Sequence, residues 1–245
     1  MYKKSYKNGW FLNFLPIWYA THRLKQIRNM QNWDDNKYYK NMYSLPFLTH
    51  DSVGDKLANV RDAITDEILK DKTSSRVVDL ATGRGYQARN IWCRGYKNVH
   101  ASDFHAGRVA EAKEQNSDTD IRFETADMKE LPYRDAIFDA ITISGALHDL
   151  KSAEIERSLN ECRRILKTGG RLIIMEPRCL GDIPYVLIRK VYSYGCNVLD
   201  ESVNMQDFLD FDIAGFLTTL GFTLVKKQTV WYSILCIYTF EKLHF

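Results

Sequence analysis

The sequence lacks any clustering of cysteine. Its five cysteines, Cys93, Cys162, Cys179, Cys196 and Cys236, are odd in number and widely scattered. No CxxC or Cys/His spacing suggests zinc, so no metal is expected, and no dense framework suggests secretion. A reducing cytoplasm is the expected compartment. Charge of one sign is also missing: 34 Lys and Arg against 31 Asp and Glu leave a formal +3. That is too little to argue for nucleic acid, and no basic stripe with interleaved aromatics is present to hold RNA. Internal repeats and low-complexity stretches are absent as well. What remains is 245 residues, 45% hydrophobic, enough for one α/β domain with a sizeable core and a modest extension.

The extension is residues 1–50. Lys3, Lys4 and Lys7 precede an aromatic run, Trp10-Phe11-Leu12-Asn13-Phe14-Leu15-Pro16-Ile17-Trp18-Tyr19, and Arg23, Lys25 and Arg28 follow it. The run is about half the ~20 residues that span a bilayer, and no small-residue cleavage site follows it. Two readings stay open. Residues 1–30 pack back as a lid or into the core, or they lie in a membrane interface as a peripheral contact. Residues 32–50 read as a polar connection, and Tyr38, Tyr39 and Tyr43 as aromatics that close over a cationic centre or simply pack.

From Leu57 the apolar residues Leu57, Val60, Ile64, Ile68 and Leu69 recur at helical spacing, broken by Lys72 to Ser75. Strands and helices then alternate. Strands are expected at 76–80, 98–103, 121–125, 138–143 and 171–175, with helices over about 86–94 and 105–115 between them. Ser152 is placed to cap a helix with Ile155, Leu159, Cys162 and Leu166 on one face, stopped by Gly169-Gly170. A helix over 207–220 ends at Gly221, and strands near 222–227 and 231–239 form a closing antiparallel hairpin. The long span 178–211, carrying Tyr185, Leu187, Ile188, Tyr192 and Tyr194, is expected to cover the substrate. The fold class is α/β, Rossmann-like: a seven-stranded, mostly parallel sheet with one antiparallel strand and helices on both faces. In such a fold ligands bind at the carboxyl ends of the strands.

The chemistry gathers at those ends. Asp79-Leu80-Ala81-Thr82-Gly83-Arg84-Gly85 closes the first strand and opens a helix. Glycine there permits positive φ and close approach of a ligand, and the free N–H groups of the helix start suit an anion. The turn alone admits two ligand classes, because Gly83-x-Gly85-x-x-Ala88 also fits a dinucleotide fingerprint and so an NAD(P)-dependent oxidoreductase. It also reads as a tight turn with no ligand. Asp103, 18 positions beyond Gly85, ends the second strand, where a carboxylate can accept from a ribose diol. Asp127 follows the third strand, with Met128 beside it, where an adenine would lie. Each acid alone reads equally as a cap or surface residue. The three in register fit a ligand carrying an amine, a diol and an aminopurine, such as S-adenosylmethionine.

With these residues the chain resembles the class I S-adenosylmethionine-dependent methyltransferases. The Ala at 81 is similar to the ubiquinone/menaquinone biosynthesis branch, the methyltransferase type 11 group. Further matches are Asp103, Ala126-Asp127, Leu131-Pro132, Phe138-Asp139-Ala140, Leu147-His148, the run from Arg164 to Gly170, and Ala214-Gly215-Phe216 with Gly221-Phe222. The resemblance implies a methyltransferase domain over 51–245 that takes S-adenosylmethionine and releases S-adenosylhomocysteine. It implies Asp79, Ala81, Gly83, Gly85, Asp103, Phe104, Asp127, Met128 and Ser144 as cofactor-binding residues. Gly83 and Gly85 would approach the methionine portion, Asp103 the ribose, and Asp127 with Met128 the adenine. Asp79 would sit under the turn, helping to hold the amino group, and Ser144-Gly145-Ala146 would line the sulfonium and the acceptor path. The chain departs from the quinone branch at His148-Asp149, where the branch commonly has Arg-Asn, and at Tyr43-Ser44, where it has Tyr-Asp. His148 stands at the mouth of the site. It reads as a general base for an O- or C-acceptor, or as a histidine bonded to the following helix or merely lining the pocket. The turn after strand four lacks the Asn/Asp-Pro-Pro-aromatic pattern that resembles enzymes methylating nucleic-acid bases or glutamine. A small, lipophilic or aromatic acceptor (quinone-like, phenol or lipid) is the expectation, and a non-catalytic S-adenosylmethionine-binding subunit keeps the same cofactor residues.

Overall fold

A computed structural model of the chain describes residues 50–68, 74–177, 179, 204–230 and 235–244, with side chains from 57 onward. The aromatic run, Tyr38, Tyr39, Tyr43 and nearly all of the expected cover between 178 and 203 lie outside the described residues.

Helix α1 (His50–Asp66) leads into strand β1 (Arg76–Leu80), helix α2 (Tyr86–Cys93), strand β2 (Asn98–Asp103), helix α3 (Ala106–Gln115) and strand β3 (Arg122–Thr125). The chain then returns to the other side of β1 as β4 (Phe138–Ser144). It continues through α4 (Ser152–Ile165), β5 (Leu166–Pro177), α5 (Met205–Asp210), α6 (Ile213–Thr219), β6 (Phe222–Val230) and β7 (Leu235–Lys242). The seven strands lie in the order β3-β2-β1-β4-β5-β7-β6. β7 runs antiparallel to both neighbours, and β1 to β5 pair in parallel. The order reverses between β1 and β4, which opens a crevice at their carboxyl ends.

Alternation along the strands builds two cores. Val77 and Ala140 face one side with Val60 and Ile64 of α1, Ala88 and Ile91 of α2, and Val109 of α3. Val78, Leu80 and Ile143 face the other, against Ile155 and Leu159 of α4, Phe208 of α5 and Leu217 of α6. Strands buried on both faces read as apolar runs, and β1 does so apart from Arg76 at its start and the buried Asp79. Among the described residues no helix is long and apolar enough to cross a membrane.

Several expected boundaries move. The fourth helix ends at Ile165, four residues before Gly169, and Gly169-Gly170 lie inside β5. The reason is tertiary: Ala136 and Ile137 donate their N–H groups to the last carbonyls, Arg164 and Ile165, at 2.9 Å each. That contact turns Leu166 into register with Phe138. Ser152 is the first helical residue and not the cap; Glu154 reaches back to the Lys151 N–H at 3.2 Å. The single helix expected over 207–220 is two. Asp212 caps the second by accepting from the Gly215 N–H at 2.9 Å, an arrangement an Asp favours over continuing a helix.

Candidate cofactor and methyl-transfer site

Asp79 stands at the tip of β1 with 1% exposure. Thr142 of β4 and Thr82 of the turn each donate a hydroxyl to its carboxylate at 2.6 Å, and the Ala88 N–H of α2 donates to it as well. Burial outweighs these bonds and pushes its pKa up to about 6. With its oxygens engaged, Asp79 is the pillar under the glycine turn that the sequence implied. It ties β1, β4 and α2 together at one point, and acts on any ligand through the turn it supports.

Three successive odd positions of that turn have positive φ: Ala81 at 53°, Gly83 at 55° and Gly85 at 82°. The two glycines serve different ends. A Cβ on Gly85 would come within 2.8 Å of the Phe123 ring and 2.9 Å of the Asn116 amide, so packing forbids it. A Cβ on Gly83 would meet nothing within 4 Å; the space above it is open to a ligand.

Asp103 ends β2 with 2% exposure. One oxygen accepts the Gly83 N–H at 2.9 Å and the other the His105 N–H at 3.0 Å. The acid expected at the ribose therefore also fixes the glycine turn. Two oxygens offer about four lone-pair sites, so acceptor capacity is left for a diol. The next residue, Phe104, carries a ring 72% exposed, with only an edge contact to His105 among the aromatic pairs of the described residues. The Ala126 N–H donates to the Asp103 carbonyl at 3.0 Å, setting the β2 and β3 tips side by side. Asp127, half-exposed, accepts the Lys129 N–H at 2.9 Å, while Met128 is buried in the core beneath.

At the β4 tip the Ser144 hydroxyl is buried without a hydrogen-bond partner among the described residues. Beyond it lies the feature that the sequence reading missed. His148, in a 3-10 turn (Leu147–Asp149), holds Glu176 of β5 through Nδ1 at 2.6 Å. Glu176 is fully buried. Its other oxygen accepts the Ala146 and Leu147 N–H groups at 2.7 and 2.6 Å. A carboxylate can only accept, so Nδ1 carries the proton and donates it, and Nε2 presents a lone pair. Nε2 lies 3.9 Å from the Asp149 carboxylate. The sequence signal for Glu176 was available: it is an acid near the carboxyl end of a strand, as Asp79 and Asp103 are. Among the described residues His148 bonds Glu176 of β5 and lies near Asp149 of its own turn.

Open space over Gly83, unused acceptor capacity on Asp103, the bare Phe104 ring and the unpartnered Ser144 hydroxyl fit a ligand with an amino-acid tail, a diol and an aromatic base. S-adenosylmethionine has all three.

Known proteins agree. A family described as a methyltransferase domain matches residues 78–174. A demethylmenaquinone methyltransferase of Beutenbergia cavernae is 26% identical over 195 residues, 76% of this chain and 78% of that one. The Thermotoga maritima enzyme of the same description is 32% identical over 159 residues, 62% of this chain and 68% of that one. Other demethylmenaquinone methyltransferases are matched over about half of their length. Among solved structures, the PH0226 protein of Pyrococcus horikoshii OT3 superposes with a TM-score of 0.65 at 16% identity, over 86% of this chain and 100% of that one. That last likeness is one of fold.

Proposed function

This chain belongs to the class I S-adenosylmethionine-dependent methyltransferases and takes S-adenosylmethionine as cofactor, and from that premise we propose that it methylates an acidic oxygen or carbon of a small quinol- or phenol-like acceptor, with His148 as the base. S-adenosylmethionine supplies a methyl group on a sulfonium, a leaving group already activated by its charge. The protein's own work is to place the acceptor in line behind that methyl, for which positioning contributes roughly 7–11 kcal/mol, and to take the acceptor's proton.

The His148–Glu176 pair carries this reading. An amine acceptor reacts in its neutral form and needs no such pair. A phenolic O–H or an activated ring C–H must lose a proton, and a positioned base contributes roughly 10²–10⁴-fold. Buried Glu176, held by two backbone N–H groups besides His148, orients the imidazole and stabilises the cation that forms when Nε2 takes the proton. The names borne by the curated relatives support a quinone-related acceptor, and His148-Asp149 supports a proton-removing variant of that chemistry.

The test is a transfer assay with methyl-labelled cofactor against a naphthoquinol, simple phenols and primary amines. Label on oxygen or ring carbon of the first two is expected; label on amines alone would refute the base reading. The aromatic, lysine-flanked residues 1–30 support a membrane-interface approach to a lipophilic acceptor. Flotation of the full chain and of a chain lacking those residues with anionic vesicles tests it: loss of flotation on truncation is expected.

A further inference from the structure

We propose that Asn204 and Phe208, one turn apart on the chain entering α5, are positioning residues for His148, an inference that rests on the base reading above. A three-residue 3-10 turn is a weak platform. Its closing bonds are Asp149 N–H to the Ala146 carbonyl at 3.3 Å and Leu150 N–H to the Leu147 carbonyl at 3.0 Å, and such turns have poorer hydrogen-bond geometry than α-helix. Glu176 fixes one edge of the imidazole and, through the Ala146 and Leu147 N–H groups, the start of the turn, but it makes no bond to the turn's end at Asp149.

The support comes from a segment 55 residues away. The Asn204 side-chain amide donates to the Asp149 carbonyl at 2.7 Å, so the residue after His148 is tied down from outside the turn. Phe208, fully buried, sets its ring against the imidazole at 6.4 Å between centroids and 75° between planes. The Phe208 N–H donates to the Asn204 carbonyl at 3.1 Å, which locks the two contacts onto one face of the helix. Among the described residues the charged groups recorded against the imidazole are Glu176 from β5 and Asp149 from the turn. Asn204 and Phe208 add no charge, only position. Misplacement of a reacting group by about 1 Å can cost 10²-fold in rate, so a contact of this kind shows in turnover before it shows in binding.

The test uses Asn204→Ala and Phe208→Leu, each alone and combined with His148→Ala. Naphthoquinol is the acceptor probe, and the His148 Cε1–H resonance, assigned by its loss in His148→Ala, is the spectroscopic one. Each single variant is expected to lower kcat about 10-fold with S-adenosylhomocysteine affinity unchanged, and to move the pH midpoint of the His148 resonance. In the His148→Ala background neither should slow the reaction further, which a merely structural role would not reproduce. Equal slowing in that background, or an unmoved resonance, overturns the proposal. Should His148→Ala itself turn over at the wild-type rate, the base reading falls, and the resonance alone then decides whether α5 positions the imidazole.

Discussion

Replacing Asp103 with Ala probes the cofactor grip at the point where two functions meet. The carboxylate accepts the Gly83 and His105 N–H groups, and its remaining lone pairs are assigned to a ribose diol. Hydrogen bonds to a charged group contribute about 1.5–3 kcal/mol, so S-adenosylhomocysteine should bind roughly 10–150-fold more weakly to Asp103→Ala. The same change removes the acceptor of two part-buried backbone donors, at up to about 1–3 kcal/mol each, so the melting temperature should fall as well. Calorimetry well below that temperature separates the effects if a 2′,3′-dideoxy analogue is titrated in parallel. Wild type should prefer the natural nucleoside, and the variant should lose the preference. Unchanged affinity, or a preference that survives in the variant, would refute the ribose assignment.

Gly83→Val places a side chain at φ 55°, where left-handed backbone costs an L-residue about 1–2 kcal/mol, and fills the space over Gly83 that is open among the described residues. The variant should remain folded by circular dichroism and give no heat with S-adenosylhomocysteine; a normal isotherm would contradict it. Asp79 makes stability depend on pH. Its folded pKa, about 6, lies above the ordinary carboxylate value of 3.8, so the folded state holds the proton more tightly. The contribution is complete below pH ~4 and is lost as pH rises through about 6, on the order of 3 kcal/mol. Asp79→Asn should flatten the denaturant-measured stability profile over that window, and an unaltered slope would remove Asp79 as its source.

What the sequence made legible was whatever depends on local pattern. β2, Asn98–Asp103, matches its expected bounds, because apolar alternation and a terminal acid are both local signals. Asp79 and Asp103 stand near the carboxyl ends of β1 and β2, where the sequence reading put them, because a strand's end is a local signal. The end of α4 was not legible. Gly169-Gly170 is a strong breaker on paper, yet the helix stops earlier, where Ala136 and Ile137 capture its carbonyls from across the fold. The pairing of His148 with Glu176, 28 residues on, was equally invisible, since only the β4–β5 register brings those tips together. Met128, expected beside an adenine, lies in the turn after β3 with its side chain in the core cluster with Leu131, a placement that tertiary packing sets.

The most direct test of the account is turnover by His148→Ala under saturating S-adenosylmethionine, with cofactor affinity measured on the same preparation. The predicted result is transfer to a naphthoquinol or phenol slowed by ~10²–10⁴-fold while S-adenosylhomocysteine binds as in wild type. Wild-type turnover by that variant would contradict it.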